Sequence, residues 1–536
     1  MRAHLAALAA IAVMGCTAGQ PAASVAAGSP PAGGVAPGLG DITQSDIRRD
    51  IFALGGDAMR GREAGTLDEM RATGWVAEHA REAGLQPAGN DGTFFQWWPM
   101  RRTRLGQNSE LSLNGRALRL WKDVVLLGNQ SANVDLPVVF VSDTGALAST
   151  DVRGKAVAME LPPINTQPLD RFTIRGNFQA TVSQAARARA GVAARAGAAA
   201  VILVSNGDAN QKEAFDATAA VSSRGTYGID SAGAPAGQFA RPATQNARGG
   251  GTGRGGGRAG GGRGRGNVVT VPTLWLEHDM LDAVMAPNAR LKALVFSETF
   301  HYPSGNVIGV VKGTDPRLAN EYVLFSGHQD HDGVRYSVNG DSIWNGADDN
   351  ASVSVALLAA ARAFARHPAP RPILFVWHGA EERGLLGSRW FVNHPTVPRS
   401  QIVAVLNADM IGRNDPDSAA LLGVQPPHKN SNALAEAALR ANDQLTHFKL
   451  DTIWDRPTHP EGWYFRSDHL PYARAGIPAI EFSTLLHPDY HTPRDEPSRI
   501  DVPKLTKMAQ WMYATGWIIA TAAQRPDVVP GFQLER

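Results

Sequence analysis

The stretch that most constrains this chain runs over residues 326–388, where apolar runs end in knots of imidazole and carboxylate. It reads SGHQDHDGV, then GADDNASVSVALLAAARAFARH, then PILFVWHGAEERGLLGS. His328 and Asp330 follow the apolar run YVLF and, two apart in extended backbone, project the same way. Asp348, Asp349 and Asn350 open a helical pattern over 351–366, where Asp and Asn act as caps. Glu381 and Glu382 close the buried-strand pattern ILFVWHGA. Two adjacent carboxylates beyond an apolar strand are costly unless a cation or a proton holds them together. The stretch therefore points to a metal site.

Two later fragments complete the set. VAVLNADMIG places Asp409 at the end of another apolar run, and DYHTPRDEP places His491 in a loop. The candidate ligands are then His328, Asp349, Glu382, Asp409 and His491. All are nitrogen or oxygen donors, which suits zinc, cobalt or manganese and excludes a thiolate site. The remaining carboxylate, Glu381, sits beside a ligand without being one, where a general base for an attacking water is needed.

The series HxD, GADDNAS, GAEERGLLGS, LNADMIG and YHTPRDE resembles the co-catalytic zinc exopeptidases of the aminopeptidase Y and glutamate carboxypeptidase II type, and MRGREAGT and GLQPAGNDGTFFQ extend the likeness toward the N-terminus. The resemblance implies two zinc ions per subunit, with His328, Asp409, Glu382 and His491 divided between them and Asp349 bridging both. It implies Asp330 as the carboxylate that orients His328, Glu381 as the base, Tyr490 as a donor to the oxyanion, and a cis peptide after Asp349. The implied activity is removal of N-terminal residues from peptides. A glutamate-type carboxypeptidase or dipeptidase would use the same metals with an arginine cluster for the substrate carboxylate, and only Arg413 stands near. A glutaminyl cyclase works with one zinc, and a receptor-like scaffold of this fold has lost its ligands, whereas here the set is complete.

The remaining sequence sets the organisation. With 536 residues, 43% hydrophobic and 19% charged, the chain is long enough for more than one domain. A net charge of +2 gives no global pull toward nucleic acid or an acidic partner. Residues 1–16 read as a signal peptide ending at Cys16, the only cysteine. The pattern resembles a lipoprotein signal, so the expectation is an exported enzyme, periplasmic or extracellular, held to the membrane by acyl chains on Cys16 alone. Residues 17–40, rich in Ala, Gly and Pro, read as a flexible tether.

Alternating strand and helix patterns over 41–121 and 298–525 predict an α/β peptidase domain, a mostly parallel sheet with helices on both faces. Between them, 122–297 is β-rich and resembles a protease-associated domain, read as a lid or spacer. Its tract at 243–267, almost wholly Gly and Arg at its centre, reads as a disordered loop. Such tracts can bind single-stranded nucleic acid, a partner an exported enzyme rarely meets, so peptides are the expected partners and nucleic acid is not. Ser467, Asp468 and His469, being consecutive, do not read as a serine triad.

Overall fold

The computed structural model describes residues 36–128, 131–163, 175–230, 271–338, 340–459 and 461–535. The expected signal peptide with Cys16, most of the expected tether and the Gly/Arg tract lie outside these residues. The last tether residues are described and are ordered: Leu39–Asp41 forms a short 3-10 turn, and the Tyr513 hydroxyl donates to the Pro37 carbonyl at 2.5 Å.

Four apolar runs make the centre of a ten-stranded sheet. Ala479–Ser483, Ile402–Ala408, Tyr322–His328 and Ile373–His378 lie side by side and parallel. Because both faces are covered, these strands read as unbroken apolar runs rather than as alternation. Phe325, Phe375 and Trp377 pack into one core with Ile47, Val76, Leu357 and Trp511 from the helices Gln44–Leu54, Leu67–Glu82, Val353–Arg366 and Val502–Thr521. Leu324, Leu374, Val376 and Val405 face the other way, onto Phe391 and Tyr472 of Leu386–Asn393 and His469–Arg474. Among the described residues no helix is long and apolar enough to cross a membrane, and Val502–Thr521 is a core helix.

The sheet is mixed rather than mostly parallel. Ser297–Val311 runs antiparallel to the Ile373 strand, Phe95–Leu105 antiparallel to Ser297–Val311, and Ser418–Leu422 antiparallel to the Ala479 strand. Apolar runs report burial, not direction, so the sequence pattern carried no sign of these reversals.

The β-rich segment also begins earlier than its texture indicates. A second sheet of eight described strands runs from Glu110–Leu113 to Arg290–Val295, so residues 110–121 belong to it. Glu110–Leu113 is fixed by pairing with Arg290–Val295, a partner far away in sequence, and local composition is blind to that. The chain leaves the first sheet at Leu105 and returns beside it at Ser297. One piece of the insertion, Thr226–Ile229, crosses back and pairs antiparallel with Met100–Thr103 at the edge of the first sheet.

One buried cation ties the loops above the central strands together. Arg62, 0% exposed, donates to the carbonyls of Gln329 at 2.6 Å, Leu54 at 3.0 Å, Asn345 at 2.7 Å and Gly346 at 2.8 Å. Its planar fork suits four carbonyls converging from three segments. Arg62→Met keeps the bulk of the stem but leaves those carbonyls unpaired in the interior. The expected loss is about 3–5 kcal/mol of stability, read as a lower urea midpoint at unchanged slope. A midpoint within experimental error of the wild type would show that water replaces the guanidinium there.

Candidate metal centre

The site forms where the parallel strands end, at the edge where open α/β sheets gather their ligands. His328 is the last residue of its strand, Asp409 follows Ala408 directly, and Glu381 stands three residues beyond His378. Asp349 arrives by another route. The expected helix caps are absent: the helix begins at Val353, after a π-type turn over Ala347–Ser352, and its caps are not side chains of that turn. Instead the Asp495 carboxylate accepts from the amides of Asp348 and Asp349 at about 3.0 Å. Asp348 Oδ1 takes the Gly412 amide at 2.6 Å. The Asp349 carboxylate is thereby left for the site, and the Asp349–Asn350 peptide is cis. Gly346, at φ +60°, makes room: a Cβ there would stand 2.2 Å from both the Asp349 carbonyl and the His331 ring.

Two groups of donors result. In the first, His328 Nε2 lies 3.4 Å from Asp349 Oδ1, 3.5 Å from Asp409 Oδ1 and 3.6 Å from Glu381 Oε2. In the second, His491 Nε2 lies 3.0 Å from Asp349 Oδ2 and 3.1 Å from Glu382 Oε1. His331 Nδ1 joins it, 2.8 Å from the same Glu382 oxygen. Asp349 thus turns one oxygen to each group. The five candidate ligands from separated segments converge, and Glu381 stands at the rim of the first group.

One expectation meets a different geometry, and two neighbouring residues enter the site without having been expected there. Asp330 was expected to orient His328 through its carboxylate, but that carboxylate accepts the amides of Glu381 at 2.9 Å and Glu382 at 3.3 Å. The His328 Nδ1–H is taken by the main-chain carbonyl of Asp330 at 3.1 Å, with the carboxylate at 3.7 Å. Asp330 therefore fixes the turn that carries both glutamates. His331 was overlooked because strict alternation beyond His328 would aim it away; the strand stops there and the chain turns it inward. The available signal was the density of HQDHD itself. Asp332, in the same segment, stands 3.2 Å from His491 Nδ1.

The two adjacent glutamates are driven apart electrostatically. Burial pushes the Glu381 carboxyl well up against the pull of His328, and neighbouring Asp409 and Glu382 add to the rise. Burial also opposes ionising Glu382, but His491 and the His331 contact hold it at about 2. Asp349, against the same burial, is kept well below the usual carboxylate range by His328 and His491. One carboxyl poised to carry a proton beside two that stay ionised is the pattern that separates acid–base roles.

The residues fit a pair of cations. His328 Nε2, both ring nitrogens of His331, Glu382 Oε1 and Asp409 Oδ1 are buried and make no hydrogen bond. Buried polar atoms without partners need another one. Imidazole and carboxylate donors in two sets, His328, Glu381 and Asp409 in one and His331, Asp349, Glu382 and His491 in the other, suit zinc or a similar divalent ion.

Around them, Tyr490 packs its ring 4.0 Å from that of His491 and its hydroxyl accepts from Arg466 at 3.0 Å. Burial pushes this phenol well above its ordinary value. Arg413 is committed to Asp489, to which it donates at 2.7 Å. Ser467, Asp468 and His469 go to separate partners, namely Asn407, Ser388 and Glu481, and form no relay.

Residues 306–516 match the model of peptidase family M28. Among curated proteins, the aminopeptidase YwaD of Bacillus subtilis is 27% identical over 274 residues, 49% of this chain and 55% of that protein. Leucine aminopeptidase 1 of Trichophyton rubrum is 27% identical over 251 residues, 44% of this chain and 64% of that one. The alignments thus span a little over half of these relatives. Among solved structures, an aminopeptidase from Aneurinibacillus sp. strain AM-1 superposes with a TM-score of 0.52 at 18% identity, covering 93% of this chain and 98% of that one. A zinc aminopeptidase from Bacillus subtilis does so at 0.52 and 20% identity, covering 88% and 94%. These last two likenesses establish the shared fold. The segment that matches peptidase family M28 carries all seven clustered side chains.

Proposed function

We propose that this protein is a zinc-dependent aminopeptidase acting on the free N-terminal end of peptides. The observation that carries the reading is the Asp349 carboxylate, with one oxygen turned to each group of donors, beside a Glu381–Glu382 pair of opposite acid–base character. The similarity to an aminopeptidase and a leucine aminopeptidase supports the same class. His328, Asp349 and Asp409 would hold one ion, and His331, Asp349, Glu382 and His491 the other. Zinc bound there supplies Lewis acidity toward the scissile carbonyl and its attacking water.

The rest falls to side chains. Glu381 takes a proton from the attacking water and passes it to the leaving amine. Asp330, through the two amides it accepts, keeps Glu381 at the rim of the first group while Glu382 stays in the second. Tyr490 accepts from Arg466, which leaves its own proton to point at the developing oxyanion. A glutamate-type carboxypeptidase finds little support, because Arg413 is already paired with Asp489.

The inserted sheet is read as a protease-associated domain. Export with a lipid anchor at Cys16 rests on residues 1–16 of the sequence. Cys16→Ser is expected to move the protein from membrane to soluble fractions or to block its processing, and an unchanged membrane fraction would rule out the acyl anchor.

Aminoacyl-nitroanilides are expected to be cleaved, N-acetylated counterparts to be spared, and a chelator to abolish the cleavage until zinc is restored. Cleavage of C-terminally varied, N-blocked dipeptides instead would assign the site to carboxypeptidases. Glu381→Gln should retain two zinc equivalents while kcat falls about 10²–10⁴-fold. Glu382→Gln should lose zinc by elemental analysis. Equal zinc loss in both variants would contradict the division of roles.

A further inference from the structure

We infer that the inserted domain is a working part of the second donor group, with Arg224 as the positioning residue of His491, acting through Asp332. The inference rests on the metal-binding reading above and extends it to a residue outside the matched family segment.

His491 is the most exposed of the clustered side chains, at 28% of its side chain, and it sits in a loop rather than on a strand. Its Nε2 faces Asp349 and Glu382, so its ring direction depends on what holds Nδ1. That partner is Asp332 Oδ2 at 3.2 Å. A histidine ligand typically gives its other nitrogen to a carboxylate, which fixes the tautomer and the ring plane.

Asp332 is itself held from the insertion. Arg224 ends the helix Ala209–Arg224, and its guanidinium donates from Nη1 to Asp332 Oδ1 at 2.6 Å and from Nη2 to the Asp332 carbonyl at 2.7 Å. Side chain and main chain of one residue are gripped by one planar group, which sets the carboxylate's direction as well as its charge. Arg335 and Arg383 also approach this carboxylate. The charge therefore survives loss of Arg224, and the direction does not.

Arg224 does not swing freely. The Arg102 side chain on the first sheet donates to the Arg224 carbonyl at 2.6 Å. Gly225, at φ +80°, lies so close to that sheet that a Cβ would stand 2.1 Å from the Thr103 carbonyl. Two residues on, the Tyr227 hydroxyl donates to Glu63 at 3.2 Å, and the Arg383 guanidinium lies 5.3 Å from the Tyr227 ring centre. Helix end, glycine and strand form one clamp from the insertion onto the metal centre.

The test is stepwise zinc titration of the full chain, with bound metal measured by elemental analysis after equilibrium dialysis. In Arg224→Gln one of the two zinc equivalents should bind about 10–100-fold more weakly, while the other keeps its wild-type affinity. Lys212→Ala, on the exposed face of the same helix, should leave both unchanged. Asp332→Asn should show the same selective loss, and adding Arg224→Gln to it should cost little more, as two members of one chain of contacts require. Wild-type affinity for both equivalents in Arg224→Gln, or equal weakening of both, would overturn the inference. If that variant does not fold, Arg224→Lys, which keeps the charge but cannot grip both oxygens, is judged by the same two outcomes. A wild-type chain that binds no zinc would overturn the metal reading and this inference together. Two tight equivalents with an indifferent Arg224 would overturn this inference alone.

Discussion

Everything above the central strands depends on the cost of burying carboxylates. Asp330, Asp332, Asp348, Asp349 and Asp495 are all at most 3% exposed, with Glu381 and Asp409 below 10%. Ionised acids crowded in a low-dielectric interior repel one another and lose their water, so each needs a specific partner. The molecule answers in two layers. On the outside, guanidinium groups and amides take the oxygens: Arg62 secures the loop carbonyls, Arg224 and Arg383 the Asp332 carboxylate, and the Glu381 and Glu382 amides hold Asp330. On the inside, His328 Nε2, both His331 nitrogens, Glu382 Oε1 and Asp409 Oδ1 face one another without hydrogen bonds, an arrangement that divalent cations relieve.

The same layering explains why neighbours in sequence differ in chemistry. Glu381 and Glu382 are separated by one peptide bond, yet Glu381 Oε2 approaches His328 while Glu382 Oε1 approaches His331 and His491. The turn begins at Ala380, at φ 54°, and is closed by Gly384 at φ 108°. That sharp turn is what sends adjacent side chains to opposite groups. The difference in proton affinity then follows from which histidines each carboxyl meets.

Much of this centre was legible before any coordinates, because its ligands sit where apolar runs stop. His328 and Asp409 end buried strands, and Glu381 and Glu382 lie just past one, so hydrophobic pattern and polar residue mark the same places. What escaped was set by relations that pattern does not encode. His331 and Asp332 enter after the strand ends, where period-two alternation has no authority. Asp330 serves amides 51 and 52 residues away instead of the imidazole two residues away. Asp348 and Asp349 resemble helix caps, but Asp495, remote in sequence, performs that task. The start of the insertion at Glu110 and the direction of the outer strands are likewise matters of long-range pairing.

The return of Thr226–Ile229 to the first sheet has a consequence for how the insertion is tolerated. Without it, Met100–Thr103 would present open amides and carbonyls along the flank of a large sheet, a template on which other chains can add strands. The insertion covers those four residues with its own backbone. The edge of the parent sheet is thereby moved onto a strand only four residues long, and cutting the insertion out would uncover the longer one beneath it.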